Sequence, residues 1–284
     1  MLLPAFTDHH VHLGLVDPSG LAGSGVGRVV DLGWSDEVVS LAADAPVAVQ
    51  YAGRFVAAPG GYPSASRWAP PRCTTEVAEP SQADGAVSAQ LALGASVIKV
   101  TLNRDAGPVP DLATLEAVVA AAAVAGLTVV AHAQGPGMVE LAIAAGIGAL
   151  AHTPWTHRLD DEVVAEAVDA GQVWISTLDI HGHGTSTPDQ ERAVDNLARF
   201  HAAGGRVLYG TDLGNGPLPE TLNLREVDLL LTSGLSDDAV LAALTDPWPV
   251  TGAEASPGVT TFLPDDGTLM ERLGQARVVE AEGA

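Results

Sequence analysis

Lysine is almost missing from this chain. Of its 13 Lys and Arg residues twelve are arginine, and Lys99 is the single lysine. Both kinds of cation are outnumbered by 35 Asp and Glu, for a formal charge of −22. Such a balance repels phosphate backbones and anionic headgroups, which excludes nucleic acid and acidic membranes as partners. The one cysteine, Cys73, cannot close an intramolecular disulfide. No apolar run reaches the roughly 20 residues that span a bilayer. Met1-Leu2-Leu3 runs into Pro4 without a charged n-region or a long apolar h-region, so no signal peptide is expected. These absences lead to the expectation of a cytoplasmic protein; they leave its oligomeric state open. A Gly-x-Gly-x-x-Gly turn after an early strand is also missing, which counts against an open dinucleotide-binding sheet.

What is present is an alternation. Short Val/Ile-rich runs near 5–12, 27–33, 47–52, 96–101, 127–132, 147–152, 173–178 and 206–211 read as strands. Segments of helical period near 35–44, 81–94, 111–125, 136–145, 159–170, 188–203 and 220–233 separate most of them. In the helix at 111–125, Asp111 is placed as N-cap, Leu112, Leu115, Val118, Val119 and Ala122 form the apolar series, and Gly126 ends it. The pattern predicts an α/β protein with a parallel sheet, closed as a (β/α)₈ TIM-like barrel. Its 284 residues fit one domain, 1–284, in which the Pro-rich 246–284 is a C-terminal tail carrying two short strands, Val259–Leu263 and Arg277–Glu280. Residues 53–80, rich in Pro and Gly, read as a long functional loop.

The chemistry-bearing residues fall at strand ends. His10 and His12 close the first strand, Lys99 lies near the end of the fourth, His132 closes the fifth, His152 closes the sixth, and Asp212 follows the eighth. Side chains of a strand alternate, so His10 and His12 share one face and His9 points the other way. In a barrel these C-terminal ends converge on one mouth. Any one buried histidine is more often a core hydrogen-bonder than a ligand. Five His and Asp residues in this pattern suit zinc and related divalent ions. Lys99, set in Val97-Ile98-Lys99-Val100 in a chain that otherwise uses Arg, requires a property that Arg lacks. Asp31, in Val30-Asp31-Leu32-Gly33, could support the ligands from behind or be a plain turn residue, and the turn is the favoured reading.

Thr7-Asp8-His9-His10-Val11-His12, Ser96-Val97-Ile98-Lys99-Val100, Val130-Ala131-His132, Leu150-Ala151-His152 and Tyr209-Gly210-Thr211-Asp212 follow one another in an order that resembles the amidohydrolase superfamily. The likeness is nearest to its imidazolonepropionase-like and prolidase-like branch and spans about residues 3–250. The resemblance implies that His10, His12 and Asp212 hold one divalent ion and His132 and His152 a second. Lys99, as a carbamate formed with carbon dioxide, would bridge the two. A carbamate needs a neutral amine, which a low-dielectric site can provide for Lys and never for Arg. Zinc is expected, with manganese or iron possible. Such ions lower the pKa of water to about 7 and polarise a carbonyl, and Asp212 is placed to relay the water's proton. The implied reaction is hydrolysis of an amide or cyclic amide in a small-molecule substrate. The alternatives are a lactonase or ester hydrolase, a mononuclear deaminase, and a non-catalytic binding protein on the same fold. A β-sandwich that many relatives carry is expected to be absent or vestigial. Tyr62, His157, His181 and His183 overhang the mouth as candidate substrate contacts. Where relatives often have Gly-Gly-His, this chain has Gly60-Gly61-Tyr62, and losing that His counts against a dipeptide-type substrate.

Overall fold

Valine, isoleucine and alanine in short runs favour buried strands, and the computed structural model places them there. It describes residues 1–250 and 258–281; residues 251–257, with Pro257, and 282–284 of the expected tail lie outside the described residues. The strands are β1 Leu2–Pro4, β2 Phe6–Val11, β3 Val26–Asp31, β4 Ala48–Tyr51, β5 Phe55–Ala57, β6 Thr74–Glu76, β7 Val97–Asn103, β8 Thr128–Gln134, β9 Ala149–Leu150, β10 Val173–Ile175, β11 Arg206–Leu208, β12 Val259–Phe262 and β13 Arg277–Glu280. The α-helices are α1 Val38–Asp44, α2 Ala83–Ala92, α3 Leu112–Val124, α4 Met138–Ala144, α5 Asp161–Asp169, α6 Pro188–Ala202, α7 Leu224–Thr232, α8 Asp237–Thr245 and α9 Leu269–Leu273. Among the described residues no helix is long and apolar enough to cross a membrane.

The architecture is mixed α/β. A seven-stranded parallel sheet runs β11-β10-β9-β8-β7-β5-β6, and a second parallel sheet runs β2-β3-β4. Every residue of β2, β3 and β7 is buried, as strands covered on both faces must be. The stretch 48–57 serves both sheets: β4 pairs with β3, and after Gly53, at φ 75°, β5 pairs with β7. Backbone hydrogen bonds also link the two sheets in two places. Ser96 N–H donates to Tyr51 O at 2.9 Å, and on the far side Asp212 N–H donates to His10 O at 2.7 Å and His12 N–H to Leu213 O at 2.8 Å.

Helix α3 shows how local signals act. The Asp111 carboxylate accepts the Thr114 N–H at 2.8 Å, and Gly126 at φ 73° ends the helix. Its buried face is Thr114, Leu115, Val118 and Ala122. Leu112, expected on that face, is 40% exposed, because at the first helical position it falls off the stripe that Leu115, Val118 and Ala122 define. Each fully buried Leu or Val contributes roughly 1.5–3 kcal/mol.

The structure corrects the reading in three places. Residues 53–80 are not wholly loop, since β5 and β6 extend the parallel sheet inside a stretch whose Pro and Gly content reads as loop. Helices α8 and α9 went unread, although Ser236 caps α8 through Ala239 N and Thr268 with Glu271 forms a capping box on α9. The chain's first residues also form a strand, β1, which pairs antiparallel with β12; β12 pairs with β13 at the expected positions. Arg28 ties the following segment to the strands, donating from a buried guanidinium to Asp246 O at 2.7 Å and Pro247 O at 2.9 Å.

Candidate metal centre

Strand alternation sends His10 and His12 to one side of β2. His9 goes to the other, where its ring nitrogens lie 2.7 Å from Tyr209 O and 3.0 Å from Asp246 O. The two same-side imidazoles are each held from behind. His10 Nδ1 donates to Ala151 O at 2.7 Å and His12 Nδ1 to Gly33 O at 2.8 Å. A carbonyl only accepts, so each bond fixes the tautomer and leaves Nε2 with its lone pair facing the centre. His152 Nδ1 engages the Thr177 hydroxyl at 2.9 Å, with Thr177 itself at φ 45°.

Both Nε2 atoms meet Asp212. His10 Nε2 is 3.3 Å and His12 Nε2 3.2 Å from Asp212 Oδ1. The three residues are buried, and one ligand atom from each falls within 4.8 Å of the others. Among the described residues, neither His10 Nε2 nor Asp212 Oδ1 has a hydrogen-bond partner. Leaving such atoms buried and unpaired costs on the order of 1–3 kcal/mol each. Two imidazole lone pairs and a carboxylate oxygen converging on one point form a donor set that a divalent cation would satisfy. Asp212 sits at φ 58° and is steadied by Asn215 Nδ2, which donates to Oδ2 at 2.9 Å.

Two buried carboxyls brace this arrangement from outside it. Asp31, the last residue of β3, accepts Leu13 N–H at 2.7 Å and Gly33 N–H at 2.9 Å and so steadies the residue whose carbonyl holds His12, which fits support from behind the ligands better than the plain turn residue favoured from sequence. Asp8, absent from the sequence-based candidates, accepts the His10 N–H at 3.1 Å and both donors of Thr211.

Lys99, His132 and His152 line the same cavity of about 280 Å³ as the first three. The His10 and His152 ring centroids are 4.6 Å apart, and those of His132 and His152 5.0 Å. His132 Nε2, however, lies 3.2 Å from Gln134 Oε1, so the structure places it toward an amide. Burial holds His10 and His152 well below the ordinary imidazole value and His132 down to about 3, keeping all three neutral. Burial also pulls on His12, but the Asp212 and Asp31 carboxylates outweigh it and raise that ring. Lys99, 1% exposed, is pushed down to about 7 by burial, against the pull of Asp212 and Asp31.

Of the candidate substrate contacts, Tyr62 and His181 line the cavity. Tyr62 stacks on His132 at 5.0 Å. His183 instead packs over Gly216, and His157, outside the lining, pairs its Nδ1 with Thr156 Oγ1 at 3.0 Å. Trp155, Gln134 and Asn215 also line the cavity and were not singled out from sequence. Trp155 stands three residues after His152 in a post-strand segment, a position that could have flagged it.

No protein-family model and no curated protein matches the sequence. Solved structures do. An Xaa-Pro dipeptidase with methionine bound in its active site aligns with a TM-score of 0.76 at 18% identity, over 98% of this chain and 85% of that one. The ochratoxinase of A. niger aligns at 0.71 with 21% identity, over 96% and 79%. Bottromycin amidohydrolase aligns at 0.63 with 20% identity, over 97% and 74%. This chain has the fold that these prolidase-like and amidohydrolase structures share, the one to which its ordered motifs pointed.

Proposed function

We propose that the chain is a metal-dependent hydrolase of the amidohydrolase superfamily, prolidase-like branch, cleaving an amide or cyclic amide bond in a small molecule at the mouth of a (β/α)₈ barrel. Barrel closure is supported by backbone hydrogen bonds that join the two sheets on either side, from Ser96 to Tyr51 and from Asp212 to His10. The function rests above all on one observation, the unpartnered Asp212 Oδ1 facing the unpartnered His10 Nε2 inside the protein. The neighbouring folds include proteins named as a dipeptidase and an amidohydrolase, which agrees with this chemistry.

His10, His12 and Asp212 would hold one divalent ion, zinc by preference with manganese or iron accommodated. His152 and a Lys99 carbamate would hold a second, with His132 joining once its Nε2 gives up Gln134. Bound ions of this kind acidify water and polarise a carbonyl oxygen. The protein's own groups do the rest. With its pKa near 7, Lys99 presents a neutral amine at neutral pH; its nitrogen bonds to the carbon of carbon dioxide and loses a proton, giving an anionic carbamate. Asp212 Oδ1 accepts the proton of the attacking water and passes it to the leaving nitrogen. Asn215 and the backbone bond to His10 hold that carboxylate in place.

Chelation tests this reading. Stripping the protein with a chelator abolishes amide hydrolysis, and adding zinc or manganese back restores it. Hydrolysis that survives exhaustive chelation would contradict it.

A further inference from the structure

The chain has only twelve aromatic residues, and Phe55, Tyr62, Trp68 and Trp155 line a cavity over the candidate metal centre. Trp34 stacks behind Trp68 with centroids 6.4 Å apart and planes at 21°. A purely structural aromatic pair in this protein looks different: Trp174 and Phe200 stack at 3.9 Å and are fully buried. Tyr62, Trp68 and Trp155 are only partly buried, with faces open to the cavity. Tyr62 and Trp68 come from the segment between β5 and β6 and Trp155 from the one after β9, and each packs against a histidine: Tyr62 on His132 at 5.0 Å, Trp68 on His12 at 6.0 Å, and Trp155 on His152 at 5.3 Å.

A second cavity of about 280 Å³ shares His12, Tyr62, Trp68, Asp212 and Asn215 with the first and adds Leu15 and Gly214. The two share the His12–Asp212 pair, so a molecule reacting there reaches the lining of both. Leu15 is 36% exposed, one of few large apolar side chains so placed. Among the described residues no arginine lines either cavity, and the single lysine is Lys99. Gln134 and Asn215 offer neutral amides only. A substrate carboxylate remote from the reacting carbonyl would therefore be desolvated without a cationic partner, in a protein whose net charge is −22.

We propose that this site, granted the hydrolase reading above, takes an uncharged aryl amide, with the aryl half between Tyr62, Trp68 and Trp155 and an apolar half beside Leu15. Amides carrying a free carboxylate, dipeptides included, are poor ligands.

Two measurements separate this proposal from the one it rests on. Calorimetry on chelator-stripped protein, where no turnover occurs, compares phenylacetanilide with N-phenylacetylglycine. Phenylacetanilide binds at least about 30-fold more tightly, the consequence of an unpaired buried carboxylate. Trp68→Ala and Trp155→Ala each weaken phenylacetanilide about tenfold through lost aromatic contact, with thermal midpoints checked to show that both fold. Leu15→Arg, at an exposed position, tightens N-phenylacetylglycine about tenfold by supplying the missing cation. Equal or tighter binding of the carboxylate by the wild type, or indifference of phenylacetanilide to both tryptophans, overturns the proposal. Hydrolysis of phenylacetyl 4-nitroanilide by the metal-loaded enzyme is then assayed. Binding as described without turnover of any amide supports the pocket assignment and counts against the hydrolase; faster turnover of glycylproline than of the anilide does the reverse.

Discussion

Asp8 and Thr211 stand 203 residues apart and share one buried carboxylate: Asp8 Oδ1 accepts the Thr211 N–H at 3.0 Å and Oδ2 the Thr211 hydroxyl at 2.5 Å. Because Oδ1 also accepts the His10 N–H at 3.1 Å, a single side chain orients candidate ligands from β2 and from the turn after β11. Asp8→Ala leaves three donors without an acceptor. It is expected to cost about 2–4 kcal/mol in denaturant unfolding, since orphaned buried groups cost about 1–3 kcal/mol each before relaxation. Metal content falls with it. Asp8→Asn keeps an acceptor for both N–H groups and loses less than half as much; equal losses in the two variants would refute this role.

Thr101 governs the loop over the site. From β7 its hydroxyl donates to Tyr62 O at 2.6 Å, pinning the segment that carries Tyr62 and Trp68 to the rigid sheet. Thr101→Val retains the β-branched shape and removes the bond, worth about 1 kcal/mol or roughly fivefold. The Michaelis constant for phenylacetyl 4-nitroanilide should rise by that factor with metal content unchanged. A loss of metal would show that Thr101 supports the centre and not the loop.

Glu226 provides a pH signature away from the candidate metal ligands. Buried in α7, it accepts Leu178 N–H at 2.9 Å and Asp179 N–H at 2.7 Å, and burial raises it from 4.5 to about 7. The folded state therefore keeps this proton across a window where the unfolded chain has released it. Its contribution to stability is complete below pH 4.5 and is lost as pH rises to about 7. Glu226→Gln has no such titration. The thermal-midpoint advantage of the wild type over the variant should be largest near pH 4.5 and narrow toward pH 7, and a gap that widens instead would contradict the assignment.

What the sequence reveals follows from how far each signal reaches. The Val/Ile runs and the Asp111 cap act within a few residues, so the eight main parallel strands and seven helices could be read directly. The His-x-His pair, Lys99, His132, His152 and Asp212 could be read because strand ends converge, and the structure brings all six to one cavity. Asp8 could not be recognised as a brace, since its partner Thr211 becomes a neighbour only on folding. The short β5 lacks a period of its own and exists because β7 offers it an edge. The Ser236 and Thr268 caps were legible signals of α8 and α9 that went unused. The contact of His132 with Gln134 follows from their i, i+2 spacing on β8, whereas the absence of His157 from the cavity lining is not encoded in spacing, because loop geometry decides it.

Metal stoichiometry is the most direct test of a centre built on Asp212 and bridged by Lys99. Protein purified without chelator is analysed by plasma mass spectrometry, with wild type beside Lys99→Ala and Lys99→Arg. The wild type should carry about two divalent ions per chain, the number a bridged pair holds. Both variants should carry one or fewer, because alanine has no amine and a guanidinium does not release the proton that carbamate formation requires. A wild-type chain without a specifically bound ion, or two ions retained by Lys99→Arg, would contradict the account.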